Sequence, residues 1–97
     1  MADYFLVETA RGPRWTDKKA RREQEGWELH ASFMDGLVDE GFIVMGGPVG
    51  ELDADRALLV VKAHDEEEAR ARLESDPWTD NVLSIVSIRP WTIWLRR

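Results

Sequence analysis

The feature of this sequence that most limits its fold is the change of hydrophobic period along the chain. Four short segments rich in aromatic and β-branched residues predict strands, because such side chains pack well on a pleated surface. They are residues 4–9 (YFLVET), 42–45 (FIVM), 56–63 (RALLVVKA) and 82–89 (VLSIVSIR). Glycine, proline and polar residues follow the second strand, so we expect Gly46-Gly47-Pro48 to end it and residues 50–55 to form a hairpin connection.

Helical spacing appears in two of the intervening segments. Between residues 17 and 40, apolar side chains recur every three or four positions, at Trp27, Ala31, Met34 and Val38. Gly26 would weaken a helix interior by about 1 kcal/mol relative to alanine, so either a break in the helix or a close helix contact is expected there. Gly41 is expected to end the helix as a left-handed cap. The second helix begins at Asp65, because Glu68 follows it at the spacing of a capping box.

The order β-α-β-β-α-β predicts an α+β, ferredoxin-like fold, with two helices on one face of an antiparallel sheet. Apolar residues of the third strand occur on both faces, with Leu58 and Val60 on one and Leu59 and Val61 on the other. Two helices can cover only one face. We therefore expect the other face to pack on a second copy, as a sheet-on-sheet homodimer. The 97 residues form one domain, because a chain of this length has room for one core.

Composition narrows the classes of function. Nineteen acidic residues against thirteen basic ones give a net charge of −6, which disfavours nucleic acid or an anionic membrane as the main partner. The sequence contains no cysteine and two histidines, so it offers no thiolate metal site, and we expect no cofactor. Neither a signal peptide pattern nor a bilayer-spanning apolar stretch is present in the sequence. We expect a cytoplasmic protein whose partners are its own second copy and a small molecule.

Two polar residues are the strongest candidates for catalysis. His30 stands among the apolar residues of the first helix, and a neutral imidazole is the form that a general base requires. Asp76 precedes Pro77 in a turn, and its carboxylate could orient the His30 ring. Structural roles stay open for both residues. His30 could pack in the core and donate one hydrogen bond, and Asp76 could cap the turn.

Three further residues are candidates for binding a substrate. Trp27 and Trp78 stand near His30 and Asp76 in the sequence and could wall an apolar pocket, although core or dimer packing explains them equally well. Arg14 belongs to a basic cluster that could receive a small anion at the mouth of a cleft, or could simply be solvated. The cluster comprises Arg11, Arg14, Lys18, Lys19, Arg21 and Arg22.

Four motifs occur in one order along the chain: residues 27–34 (WELHASFM), 40–48 (EGFIVMGGP), 76–78 (DPW) and 88–91 (IRPW). On these motifs the sequence resembles the YCII-related (YciI-like) family over nearly its whole length. The resemblance implies a dimeric α+β barrel, similar in fold to muconolactone isomerase. It also implies a suspected active site of one His and one Asp, which here are His30 and Asp76. The family's usual Asp-Pro-Phe is Asp-Pro-Trp in this chain, which keeps an aromatic wall but changes the pocket volume.

These residues favour a small enzyme in which His30 transfers a proton while Asp76 holds its ring in one tautomer. Isomerisation and elimination fit best, because neither requires a covalent nucleophile, and the sequence contains no cysteine. The expected substrate is a small anionic molecule of the aromatic or lactone type. The alternative is a non-catalytic dimer that binds a small molecule or serves as an accessory subunit, and it predicts ligand affinity without turnover.

Overall fold

The computed structural model describes residues 3–51 and 55–97. The elements are β1 (Tyr4–Arg11), a 3₁₀ helix (Arg21–Glu23), α1 (Trp27–Asp39), β2 (Ile43–Pro48), β3 (Ala57–Lys62), α2 (Glu66–Leu73) and β4 (Leu83–Pro90). This order confirms the prediction of strands and helices in the sequence β-α-β-β-α-β. Residues 52–54 of the predicted hairpin connection lie outside the described residues.

The four strands form one antiparallel sheet with the order β2-β3-β1-β4. Val7 of β1 is paired with Leu59 of β3 on one side and with Ile88 of β4 on the other. The sheet therefore has β1 and β3 at its centre, and the chain is an α+β protein.

The core lies between the sheet and the two helices. Val7 and Val61 are fully buried and form one cluster with Leu37 of α1 and with Ala69 and Leu73 of α2. Each of these valine and leucine side chains stabilises the fold by about 1.5–3 kcal/mol when it is removed from water. Because residues of both helices join this cluster, both helices pack on the same face of the sheet.

The opposite face of the sheet is apolar as well. Val60 is the register partner of both Leu6 and Met45, so these three apolar side chains lie side by side on this face. Met45 is 64% exposed, so this face is open to solvent at β2. Beyond β4, Trp94 and Leu95 are 86% and 92% exposed. A second copy packed on this face stays a prediction, because the structure is of one chain.

Gly26 breaks the helical pattern of residues 17–40, as the sequence allowed. The α-helix starts only at Trp27, because Gly26 adopts a left-handed conformation (φ +80°) as its N-cap. Gly41 ends this helix in a left-handed conformation, as predicted (φ +81°). The second strand does not stop at residue 46. β2 continues to Pro48 by pairing with β3, which is possible because β2 is an edge strand, where a missing N–H leaves no ladder bond broken.

Candidate active site

His30 is held near the N-terminal end of α1. The helix starts at Trp27, and the backbone N–H of His30 donates to the Gly26 carbonyl at 3.0 Å, which closes the first turn. The His30 residue is 7% exposed, so its ring is largely shielded from solvent. The left-handed Gly26 therefore determines where the helix begins and hence which way the imidazole is presented.

Asp76 lies in the turn that follows α2. Its backbone N–H donates to the Leu73 carbonyl at 3.0 Å, and its carbonyl accepts from the Thr79 N–H at 3.0 Å. Its side-chain Oδ1 accepts from the Trp78 N–H at 3.0 Å. The predicted capping role is thus present: Asp76 stabilises the turn that carries it.

The two candidate catalytic side chains are in direct contact. The His30 Nδ1 atom lies 2.7 Å from Asp76 Oδ2 and 2.9 Å from Asp76 Oδ1, and the side chains are 9% and 8% exposed. An ionised carboxylate can only accept hydrogen bonds, so the neutral ring carries its proton on Nδ1 and keeps a lone pair on Nε2. Among residues 3–51 and 55–97, no protein group hydrogen-bonds Nε2, which is therefore free to accept a proton.

Trp78 fixes the plane of the imidazole. Its ring is stacked on His30 with 4.0 Å between centroids and 7° between planes, and it is 1% exposed. The indole Nε1 donates to the Glu25 carbonyl at 2.8 Å, which ties the stack to the residues just before α1. Trp27 approaches His30 from another side, with a centroid distance of 5.8 Å and an angle of 51°. These rings hold the imidazole in one orientation.

A cavity of about 440 Å³ lies between α1 and the sheet, and both His30 and Asp76 line it. Its apolar walls come from α1 and from the strands, and include Trp27, Ala31, Met34, Leu59 and Ile85. A volume of this size suits a small organic molecule, and the mixture of apolar walls with a few polar groups is typical of ligand sites.

Only some of the site residues predicted from the sequence line the same cavity. Trp27 lines the cavity beside His30 and Asp76, whereas Trp78 lies behind the imidazole and is not part of the cavity wall. Arg14 lies elsewhere: it lines a separate cleft on the far side of Trp78.

The arginines that line the cavity are Arg21 and Arg22. Sequence reasoning placed both in the basic cluster but did not single them out from Arg14. One signal was available, since Arg21 and Arg22 stand immediately before the helix that carries His30. Charge alone carries no information about which members of a cluster face inward.

Residues 3–51 and 55–97 contain no cluster of three or more His, Asp or Glu side chains that could hold a metal ion. In the same residues, no helix is both long and apolar enough to cross a membrane.

The comparison with known families rests on the same part of the chain as the site. The sequence matches the YCII-related domain over residues 9–92, a range that includes His30 and Asp76. The chain belongs to the YCII-related domain family. Membership confirms the resemblance that the four sequence motifs indicated. No curated protein and no solved structure matches this YCII-related domain, so its substrate and reaction must be inferred from the site itself.

Proposed function

We propose that this YCII-related domain is an enzyme of the isomerase or lyase type, in which His30 transfers a proton on a small aromatic or lactone substrate. One observation carries the proposal: the His30 Nδ1 atom is held by both carboxylate oxygens of Asp76 beside a cavity of about 440 Å³. A histidine that only packs in the core needs one acceptor and no adjoining cavity. The pair also resembles the acid–base arrangement by which a carboxylate orients a catalytic imidazole.

The proposed proton transfer uses the Nε2 atom of His30. Nε2 of His30 accepts a proton from a substrate carbon next to a carbonyl, and the resulting imidazolium is stabilised by the Asp76 carboxylate at 2.7 Å. In an isomerisation, the imidazolium returns this proton to a second carbon, so the ring ends neutral. In an elimination, the electron pair of the broken C–H bond forms the double bond and expels the leaving group, which takes its own bonding pair. The proton then passes to the leaving group or to water.

We further propose a ferredoxin-like fold that works as a homodimer through the open face of the sheet. The strand order β2-β3-β1-β4 and the placement of both helices on one face support the fold assignment. The exposed Met45, Trp94 and Leu95 support the dimer, because a lone chain would leave these large apolar side chains in water.

Hydrogen–deuterium exchange tests the proposed chemistry before a full reaction is known. Small lactones and cyclic or aromatic carboxylic acids with an acidic C–H group are incubated with the protein in D₂O, and loss of the C–H signal is followed by NMR. The variant His30→Gln keeps an N–H donor towards Asp76 but cannot take up a proton. We expect it to lower the exchange rate by about 10²–10⁴-fold.

His64→Gln is the matched control, because it makes the same substitution at an exposed histidine outside the cavity and should leave the rate unchanged. Exchange that persists in His30→Gln would remove His30 from the mechanism. Binding of panel members with no exchange, and with equal affinity in wild type and His30→Gln, would favour the non-catalytic binding protein.

A further inference from the structure

The loop between β1 and α1 is held by a buried glutamine. Gln24 is 4% exposed, and its Oε1 accepts from the Thr16 N–H at 2.9 Å. Its Nε2 donates to the carbonyls of Thr16 at 2.7 Å and Lys19 at 2.8 Å. These bonds close the loop on itself, so the 3₁₀ helix Arg21–Glu23 is presented to the cavity in a defined position.

Arg21 is a partly buried cation in this loop. Its Nε atom is buried and makes no hydrogen bond, and its guanidinium lies 5.2 Å from the centroid of Trp15. The Arg11 guanidinium lies 4.8 Å from the same ring. Burial, and then the charge of Arg11, lower the pKa of Arg21 from its ordinary value. Within the described residues, no carboxylate pairs with Arg21.

Three acidic side chains near the loop are engaged by other groups. Glu23 accepts from the Ala20 N–H at 3.0 Å, and Asp17 lies 3.9 Å from Arg11. Asp76 is paired with His30. Arg21 lines both this cavity and the adjoining cleft that contains Trp15, and none of these three carboxylates compensates its positive charge.

The two ends of the cavity carry side chains of opposite charge. Arg22 lies over Trp27 at the start of α1, with 5.9 Å between the guanidinium carbon and the ring centroid. Asp35 also lines the cavity but stands eight residues further along α1, about 12 Å along the helix axis. Cations thus occupy the end near Trp27, an acid occupies the other end, and His30 lies between them.

We propose that Arg21 and Arg22 bind a carboxylate group of the substrate, so that this YCII-related domain acts on a small monocarboxylate. This inference rests on the proposed function and names the substrate class of the same cavity. A guanidinium presents paired N–H donors that match the two oxygens of a carboxylate. Asp35 and Asp76 also face the cavity and would repel a more highly charged group, which favours a single negative charge. The apolar body of the substrate would then lie along Ala31 and Met34, within reach of His30.

Benzoate and benzamide are suitable probes, because they share a shape and differ in charge. Binding of each is followed by NMR at the Trp27 indole N–H, and affinities are taken from titrations. We expect the wild type to prefer benzoate. Arg21→Gln should weaken benzoate at least about tenfold and leave benzamide unchanged, since it removes one charge-assisted contact. Arg22→Gln should act in the same direction, and Arg14→Gln is the matched control outside the cavity that should have no effect.

Several outcomes would overturn the carboxylate site. These are equal affinity of the wild type for benzoate and benzamide, an equal loss of both in Arg21→Gln, and displacement of benzoate by inorganic phosphate at lower concentration. His30→Gln separates this proposal from the proposed function, because it removes the base without touching the arginines. Arg21-dependent benzoate binding that survives His30→Gln, in a protein that catalyses no C–H exchange, would support the anion site and refute the enzyme.

Discussion

Replacing Asp76 with asparagine is expected to reverse the tautomer of His30. In the protein, Asp76 Oδ1 accepts from the Trp78 N–H at 3.0 Å, and Oδ2 lies 2.7 Å from His30 Nδ1. An asparagine that keeps its oxygen on the Trp78 N–H presents its NH₂ group to Nδ1. Because NH₂ only donates, Nδ1 must accept, and the ring proton moves to Nε2. The atom that should accept the substrate proton is then occupied.

The size of the effect follows from the alternative arrangements. If the ring kept its proton on Nδ1, this N–H and the NH₂ group of the asparagine would face each other as two donors. If the amide flipped instead, its NH₂ group would face the Trp78 N–H, which is also a donor. Either arrangement leaves a buried polar hydrogen unpaired, which costs about 1–3 kcal/mol and corresponds to a preference of about 5- to 150-fold for the Nε2–H form. Loss of the charged bond between Asp76 and the imidazolium adds about 1.5–3 kcal/mol, so turnover should fall by about 10²- to 10⁴-fold.

Long-range ¹H–¹⁵N correlation NMR reads the tautomer directly and requires no substrate. Spectra are recorded at about pH 9, where an ordinary imidazole is neutral. The chain has two histidines, so the exposed His64 serves as an internal reference that should be the same in wild type and Asp76→Asn. A wild-type His30 with its proton on Nε2, or a variant that keeps the proton on Nδ1, would refute the assignment of the tautomer to Asp76.

Two further predictions concern the scaffold. Light scattering at micromolar concentration should show a wild-type dimer and a Met45→Lys monomer, because the lysine puts a charge on the open sheet face. His64→Lys, at an exposed position outside this face, should stay dimeric, and a monomeric wild type would end the dimer proposal. Gly46→Ala should destabilise the fold by about 1–3 kcal/mol in urea unfolding, since a Cβ there would lie 3.0 Å from the Leu58 carbonyl oxygen. Gly36→Ala, with nothing within 4 Å of the new methyl group, should instead stabilise α1 by about 1 kcal/mol.

The order of elements could be predicted because it depends on local patterns that the core then uses. Leu59 and Val61 are two positions apart in β3 and therefore lie on one face of the sheet, and both belong to the core cluster with Val7 of β1. The start of α1 could not be placed from periodicity, because the polar residues before it are compatible with a helix. Gln24 holds that segment as a loop through side-chain hydrogen bonds to Thr16 and Lys19, and hydrophobic periodicity carries no information about such bonds.

The contact between His30 and Asp76 could be expected only from the fold and the family, not from spacing. It exists because α1 and the turn after α2 pack on the same face of the sheet and bring the two side chains together. Neither the fold nor the family could decide between Arg14 and Arg21 as the arginine that lines the cavity. Both are cations of one loop, and the path of the backbone separates them. The Arg14 N–H donates to the Asn81 carbonyl at 2.7 Å, and Arg14 lines the separate cleft, whereas Arg21 lines the cavity.

Trp78 connects the parts of the site that the sequence could not join. It stacks on the His30 ring, donates its backbone N–H to Asp76, and lies 6.3 Å from Trp15, the ring that Arg21 packs against. Its indole N–H also reaches the carbonyl of Glu25, a bond that a phenylalanine at this position could not make. A phenylalanine would preserve the stack and the turn but leave that carbonyl without this donor. The tryptophan therefore couples the His–Asp pair to the arginine loop, which is the part of this chain that we assign to substrate recognition.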